Sequence, residues 1–210
     1  MNAAVISAGT HELTATGRGS GGPAPKRVIV AYGFWLFLIS DIIIFAALFA
    51  TYAVLAPAVG DGPSAKEIFE PNRVAIETAC LLASSFACGM ASIAVGQRSQ
   101  KWTQIALLVS GLFGFVFLML ELSEFHALVV RGAGPTRSAF LSAFFTLVGC
   151  HGAHITTGLL WLGTMMAQFY AKGFRREILH RYLCFSLFWH ALDIIWVAIF
   201  SLVYLVGINL

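Results

Sequence analysis

The run CFSLFWHALDIIWVAIF, Cys184 to Phe200, is apolar apart from Ser186 and from His190 and Asp193, an imidazole and a carboxylate three residues apart. On a helix that spacing puts an imidazole and a carboxylate on nearly the same face. Other apolar runs carry Asp41, Glu77, Glu121, Glu124, His151 and His154. Imidazoles and carboxylates brought together from several helices are how di-iron centres are built in bundles. Here His151, His154 and His190 would supply nitrogen, and Asp41, Asp193, Glu121 and Glu124 oxygen. The same groups could relay protons or ions, as in pumps and transporters. They could also be interhelical hydrogen-bonding pairs that fix helix register and line a cleft. No HxxxH or HxxHH pattern supports metal, and no ExxH pair falls among these groups. No inverted repeat or pair of broken spans supports transport. On the residues alone the structural reading leads. Each such pair is worth on the order of 0.6 kcal/mol in a membrane, and leaving one unpaired costs more.

The elements that position these groups follow from composition. The chain has 210 residues, 59% hydrophobic and 11% charged, with a mean hydropathy of +0.83. Soluble domains run nearer 45–50% apolar and about 25% charged, so the class is an all-α integral membrane protein. The formal net charge of +3 is too small to call for a nucleic-acid partner. Cys80, Cys88, Cys150 and Cys184 all sit in apolar runs without a CxxC or zinc-like spacing, and read as small buried side chains. Residues 1–27 are polar, rich in Gly, Ser and Thr, and lack the apolar core of a secretory signal. They read as a flexible cytoplasmic tail before a transmembrane domain over residues 28–210.

A crossing needs about 20 mostly apolar residues. Five segments qualify: Val28–Leu55, Val74–Val95, Ile105–Phe125, Ala139–Ala171 and Tyr182–Ile208. The breaks hold turn residues, as in GDGPSAKEIFEPN, GQRSQK and RGAGPTR, and the capping-box spacing of Ser64 and Glu67 predicts a short interfacial helix in the first of these. Lys and Arg set the direction. With the N-terminus inside, inner segments hold Arg18, Lys26, Arg27, Arg98, Lys101, Lys172, Arg175, Arg176 and Arg181, and outer ones hold Lys66, Arg73, Arg131 and Arg137. The expected orientation is therefore N-terminus cytoplasmic and C-terminus periplasmic, in a bacterial inner membrane.

Depth follows from about 1.5 Å of rise per residue. Asp41, His151, His154, His190 and Asp193 fall near mid-membrane, and Glu77, Glu121 and Glu124 fall closer to the outer face. Partners must share a depth, so two polar layers imply pairing within each. Ala75, Ala79, Ala83, Ala87 and Ala91 recur at every fourth residue of the second span, a stripe of small residues that favours a close helix–helix contact.

Several segments resemble subunit III of the haem–copper respiratory oxidases. They are FWLFLISDIIIFAALFATYAVL, LELSEFHAL, GPTRSAFLSAFFTLVGCHGAHITTGLLW and LCFSLFWHALDIIWVAIFSLVYLVG, and the similarity runs from Tyr32 to Gly207. HGAH and WHALDIIW carry it, in that order and spacing. GPSAKEIFE and ETACLLASSFACGMA look most similar to the five-span cytochrome bo-type ubiquinol oxidase branch, the alternative being a five-span cytochrome c oxidase relative. The resemblance implies a five-helix bundle with a lipid-filled cleft. It also implies a subunit with no redox centre, neither catalytic nor cofactor-binding, in a proton-pumping complex. Haems, copper and ubiquinol would belong to subunit I, with subunits II and IV as further partners and phospholipid in the cleft. Asp41 matches a position where cytochrome c oxidase members commonly have a glutamate facing subunit I. Glu124 matches the acid of the family's Ser-Glu pair, and His151, His154, His190 and Asp193 match its signature motifs. On that basis His190 and Asp193 are expected to clasp span five to His151 or His154 on span four. Arg175, Arg176 and Arg181 would receive lipid phosphates.

Overall fold

The computed structural model describes residues 26–60 and 70–205. Residues 1–25 of the tail expected over residues 1–27, the expected loop helix at Ser64 and Glu67, and the end of the fifth span past residue 205 lie outside the described residues, whereas Lys26 and Arg27, expected in the tail, already belong to the first helix. Five long helices follow in order: α1 (Lys26–Leu55), α2 (Pro71–Gly96), α3 (Gln100–Val130), α4 (Ala139–Lys172) and α5 (Arg176–Ile199). A π-helical turn, Phe200–Leu205, extends α5. Each helix carries an apolar stretch long enough to cross a bilayer. Helices satisfy their own backbone polar groups, the requirement hydrocarbon imposes.

All five expected spans are present, with two longer than the sequence suggests. The third extends by about five residues at each end of Ile105–Phe125, and the fifth begins at Arg176 rather than Tyr182. In both, polar residues at the interface continue the helix because the apolar core does not fix where it must stop. Local chemistry fixes other ends. The Ser138 side chain caps α4 by accepting a hydrogen bond from the Leu141 N–H at 3.1 Å. Gly173, at φ 65°, ends it and donates its N–H to Phe169 O at 3.1 Å. Pro71 stands in the first turn of α2, where a missing N–H costs nothing.

α4 and α5 form the centre of the bundle. They pack on each other, α1 leans on both, α3 lies against α4, and α2 bridges α3 and α5. Burial follows the same order. Half of the most apolar window of α4 and of α5 is buried, against 11% for α1, which is the outermost helix. The core is aromatic, with Phe117, Phe140, Phe144, Phe169, Phe185, Trp189 and Trp196 almost fully enclosed. Trp189 depends on glycine. Its ring fills the space where a Cβ on Gly114 of α3 or Gly158 of α4 would stand. The four cysteines are free thiols, Cys88 and Cys184 buried and Cys80 and Cys150 half-buried.

Candidate functional site: the intramembrane polar groups

α2 and α5 run antiparallel, and polar side chains bridge them along most of their length. Ser92 Oγ pairs with the Tyr182 hydroxyl at 2.9 Å, and that hydroxyl also reaches Cys88 O at 3.2 Å. Two turns on, the indole N–H of Trp189 donates to Ser84 Oγ at 3.1 Å, and Ser84 exchanges hydrogen bonds with Ser110 of α3. Ser85 Oγ lies 2.8 Å from His190 Nδ1. The Trp196 N–H donates to Thr78 Oγ1 at 3.1 Å. Tyr182, Trp189 and Trp196 are spaced by seven, as are Thr78, Ser85 and Ser92, so two turns of each helix bring the next rung to the same edge. None of the serine, threonine or tyrosine partners was among the sequence-selected residues. The seven-residue spacing was the signal available for them.

His190 and Asp193 do share a face, with Nδ1 and Oδ2 3.8 Å apart. The clasp they make differs from the expected one. His190 bonds Ser85 on the second span, not His151 or His154 on the fourth, because its face of α5 turns toward α2. His154 instead faces Asp41 of α1, Nε2 to Oδ2 3.9 Å, while its Nδ1 lies 2.7 Å from Cys150 O. Phe37, Ala153, Thr157 and Phe188 join Asp41 and His154 around a cavity of about 230 Å³. His151 is fully buried and stacked on Trp196, ring centroids 5.3 Å apart. The three histidines therefore have three different neighbours. Among the described residues no three His, Cys, Asp or Glu side chains converge as a metal set.

The second polar layer lies at the Arg73 end of α2. Glu77, Glu121 and Glu124 are all nearly inaccessible, and Arg73 Nε lies 3.5 Å from Glu77 Oε1. Arg73 also donates to Leu120 O at 2.8 Å and to Ser123 Oγ, pinning α2 to α3. Glu121 reaches over Gly152 of α4, with Oε1 2.9 Å from where a Cβ would stand. The Arg73 guanidinium thus ties α2 to α3, and Glu121 packs the same layer onto α4.

The alanine stripe divides. Ala87 and Ala91 are buried in the bundle, Ala83 is half-buried, and Ala75 and Ala79 are exposed. A spacing of four on a 3.6-residue turn advances about 40° per step, so the stripe winds off the packed face. Arg175, Arg176 and Arg181 are exposed beside the α4–α5 turn, and Arg181 donates to Gln168 Oε1 at 3.2 Å.

The family model for cytochrome c oxidase subunit III matches residues 14–208, nearly the whole bundle. The chain belongs to the cytochrome c oxidase subunit III family. Among curated relatives, it is similar to the cytochrome bo(3) ubiquinol oxidase subunit 3 of Pseudomonas aeruginosa, 49% identical over 84% of both chains. It is 40% identical to the quinol oxidase subunit 3 of Bacillus subtilis, over 84% of this chain and 87% of that one. It is also 42% identical to a cytochrome c oxidase subunit 3 from a Bacillus species, over 83% and 84%. As a subunit III, the protein is a multi-pass membrane component of an oxidase complex, with other oxidase subunits as its partners.

Proposed function

We propose that this chain is subunit III of a proton-pumping, cytochrome bo-type ubiquinol oxidase of the aerobic respiratory chain. The observation that carries this reading is the 49% identity, across 84% of both chains, to a subunit bearing that name. The five-span bundle is consistent with it. The subunit is not catalytic by itself. It packs on subunit I, which holds haems, copper and ubiquinol, with subunits II and IV nearby, and it supports proton and oxygen access. The Asp41–His154 cavity faces subunit I or phospholipid, and Arg175, Arg176 and Arg181 receive lipid phosphates. The excess of Lys and Arg at one end supports a cytoplasmic N-terminus and a periplasmic C-terminus.

The experiment is purification through a C-terminal tag in mild detergent, followed by a reduced-minus-oxidised optical spectrum, subunit analysis and metal content. Oxygen uptake is then measured with ubiquinol and with reduced cytochrome c. Haem bands, a large co-purifying polytopic subunit and ubiquinol-driven uptake support the reading. Uptake with cytochrome c alone moves the chain to a cytochrome c oxidase. A lone 22.7 kDa band with stoichiometric iron and no haem overturns the assignment in favour of a metalloenzyme.

A further inference from the structure

His190 lies near the middle of the span Arg176–Leu205. Its Nδ1 is engaged by Ser85 Oγ, with Asp193 Oδ2 alongside. The side chain is nevertheless 42% exposed. No other described residue bonds its Nε2, and Asp193, buried beneath it, has no hydrogen bond on either carboxylate oxygen. In hydrocarbon an open ring nitrogen at this depth is costly, because no water is there to satisfy it. Polar groups in spans accordingly face protein or a wet cavity. The surface around His190 is otherwise apolar. Ile194 and Val197 follow it on α5, and Leu82 and Phe86 flank Ser85 on α2, all exposed. Gly89, one turn beyond Ser85, has nothing within 4 Å of where a Cβ would stand, so another backbone can come close there.

We propose that this α2–α5 face, centred on His190, docks a transmembrane helix of another oxidase subunit that presents a hydroxyl or amide side chain to His190 Nε2. A hydroxyl or amide serves either imidazole tautomer, since each can donate or accept. A second copy of this chain is a poorer fit, because a two-fold contact would set one imidazole against its identical counterpart. The inference rests on the oxidase reading. It places a contact on the side of α5 that faces α2, away from the Asp41–His154 cavity.

The test uses the intact tagged complex in native membranes, with a photoreactive phenylalanine analogue placed at Phe86 or Ile194 and, as control, at the exposed Leu112 of α3. The expected result is an adduct with a different oxidase subunit from positions 86 and 194, with much less from 112. His190→Leu should lower the adduct yield from position 86 several-fold, and His190→Gln should restore it. Lipid adducts only, a dimer of this chain, equal yield from position 112, an unchanged yield in His190→Leu, or no recovery in His190→Gln would each overturn the proposal. The haem spectrum of the unmodified preparation separates the two readings. Its absence overturns the oxidase assignment together with this contact, whereas its presence without adducts overturns the contact alone.

Discussion

The indole of Trp189 occupies the space that a side chain on Gly158 would need. Trp189 Cζ3 lies 2.7 Å from the position of a Cβ there, and Cζ2 lies 2.9 Å from that of Gly114. Two glycines from two helices thus form the slot in which a buried tryptophan of a third is held. Its only polar atom is satisfied by Ser84.

Gly158→Ala should therefore destabilise the subunit by about 1–3 kcal/mol, the usual cost of overpacking a tight core. Gly163→Ala, in the same helix with nothing within 4 Å, should be close to neutral. The thermal midpoint at which the purified complex loses subunit III reads both. Equal shifts for the two variants would mean that the slot is not rigid.

The Ser92–Tyr182 rung should contribute modestly. A double-mutant cycle of Ser92→Ala and Tyr182→Phe is expected to give a coupling of about 0.6 kcal/mol, typical of interhelical hydrogen bonds in membranes. Zero coupling would show that the 2.9 Å contact adds nothing beyond packing.

Arg73 stands against a fully buried Glu77. Arg73→Leu should cost about 3 kcal/mol or more, because it strips a buried acid of its countercharge. Glu77→Gln should cost less, and the double variant should recover most of the loss. Denaturant titration of the detergent-solubilised subunit checks the order. A double variant no better than Arg73→Leu would place the importance of Arg73 in its bonds to Leu120 and Ser123 instead.

The Asp41–His154 pair is long, at 3.9 Å, and both side chains are partly exposed. A cycle of Asp41→Asn and His154→Gln should give a coupling under about 1 kcal/mol in the isolated subunit, as for other open ion pairs. A much larger value would show a tighter bond than the separation implies.

The sequence by itself determined the class and the five crossings. A bilayer demands about 20 apolar residues and internal hydrogen bonding, and both constraints act locally along the chain. It also determined which ionisable groups share a depth, since depth is simply position along a rising helix. The structure showed where a single capping residue sets an end, as at Ser138 and Gly173. The tertiary structure decided partnership. His190 could have met any group at its level, and only the rotation of α5 against α2 gave it Ser85. Ser and Thr concealed their part because such hydroxyls can satisfy themselves within their own helix, as Thr78 also does through Val74 O. Gly114, Gly152 and Gly158 looked like ordinary membrane glycines until the side chains of Trp189 and Glu121 filled the space above them. Spacing along a helix fixes a side chain's height and face, but which neighbour stands across from it depends on how the helices pack.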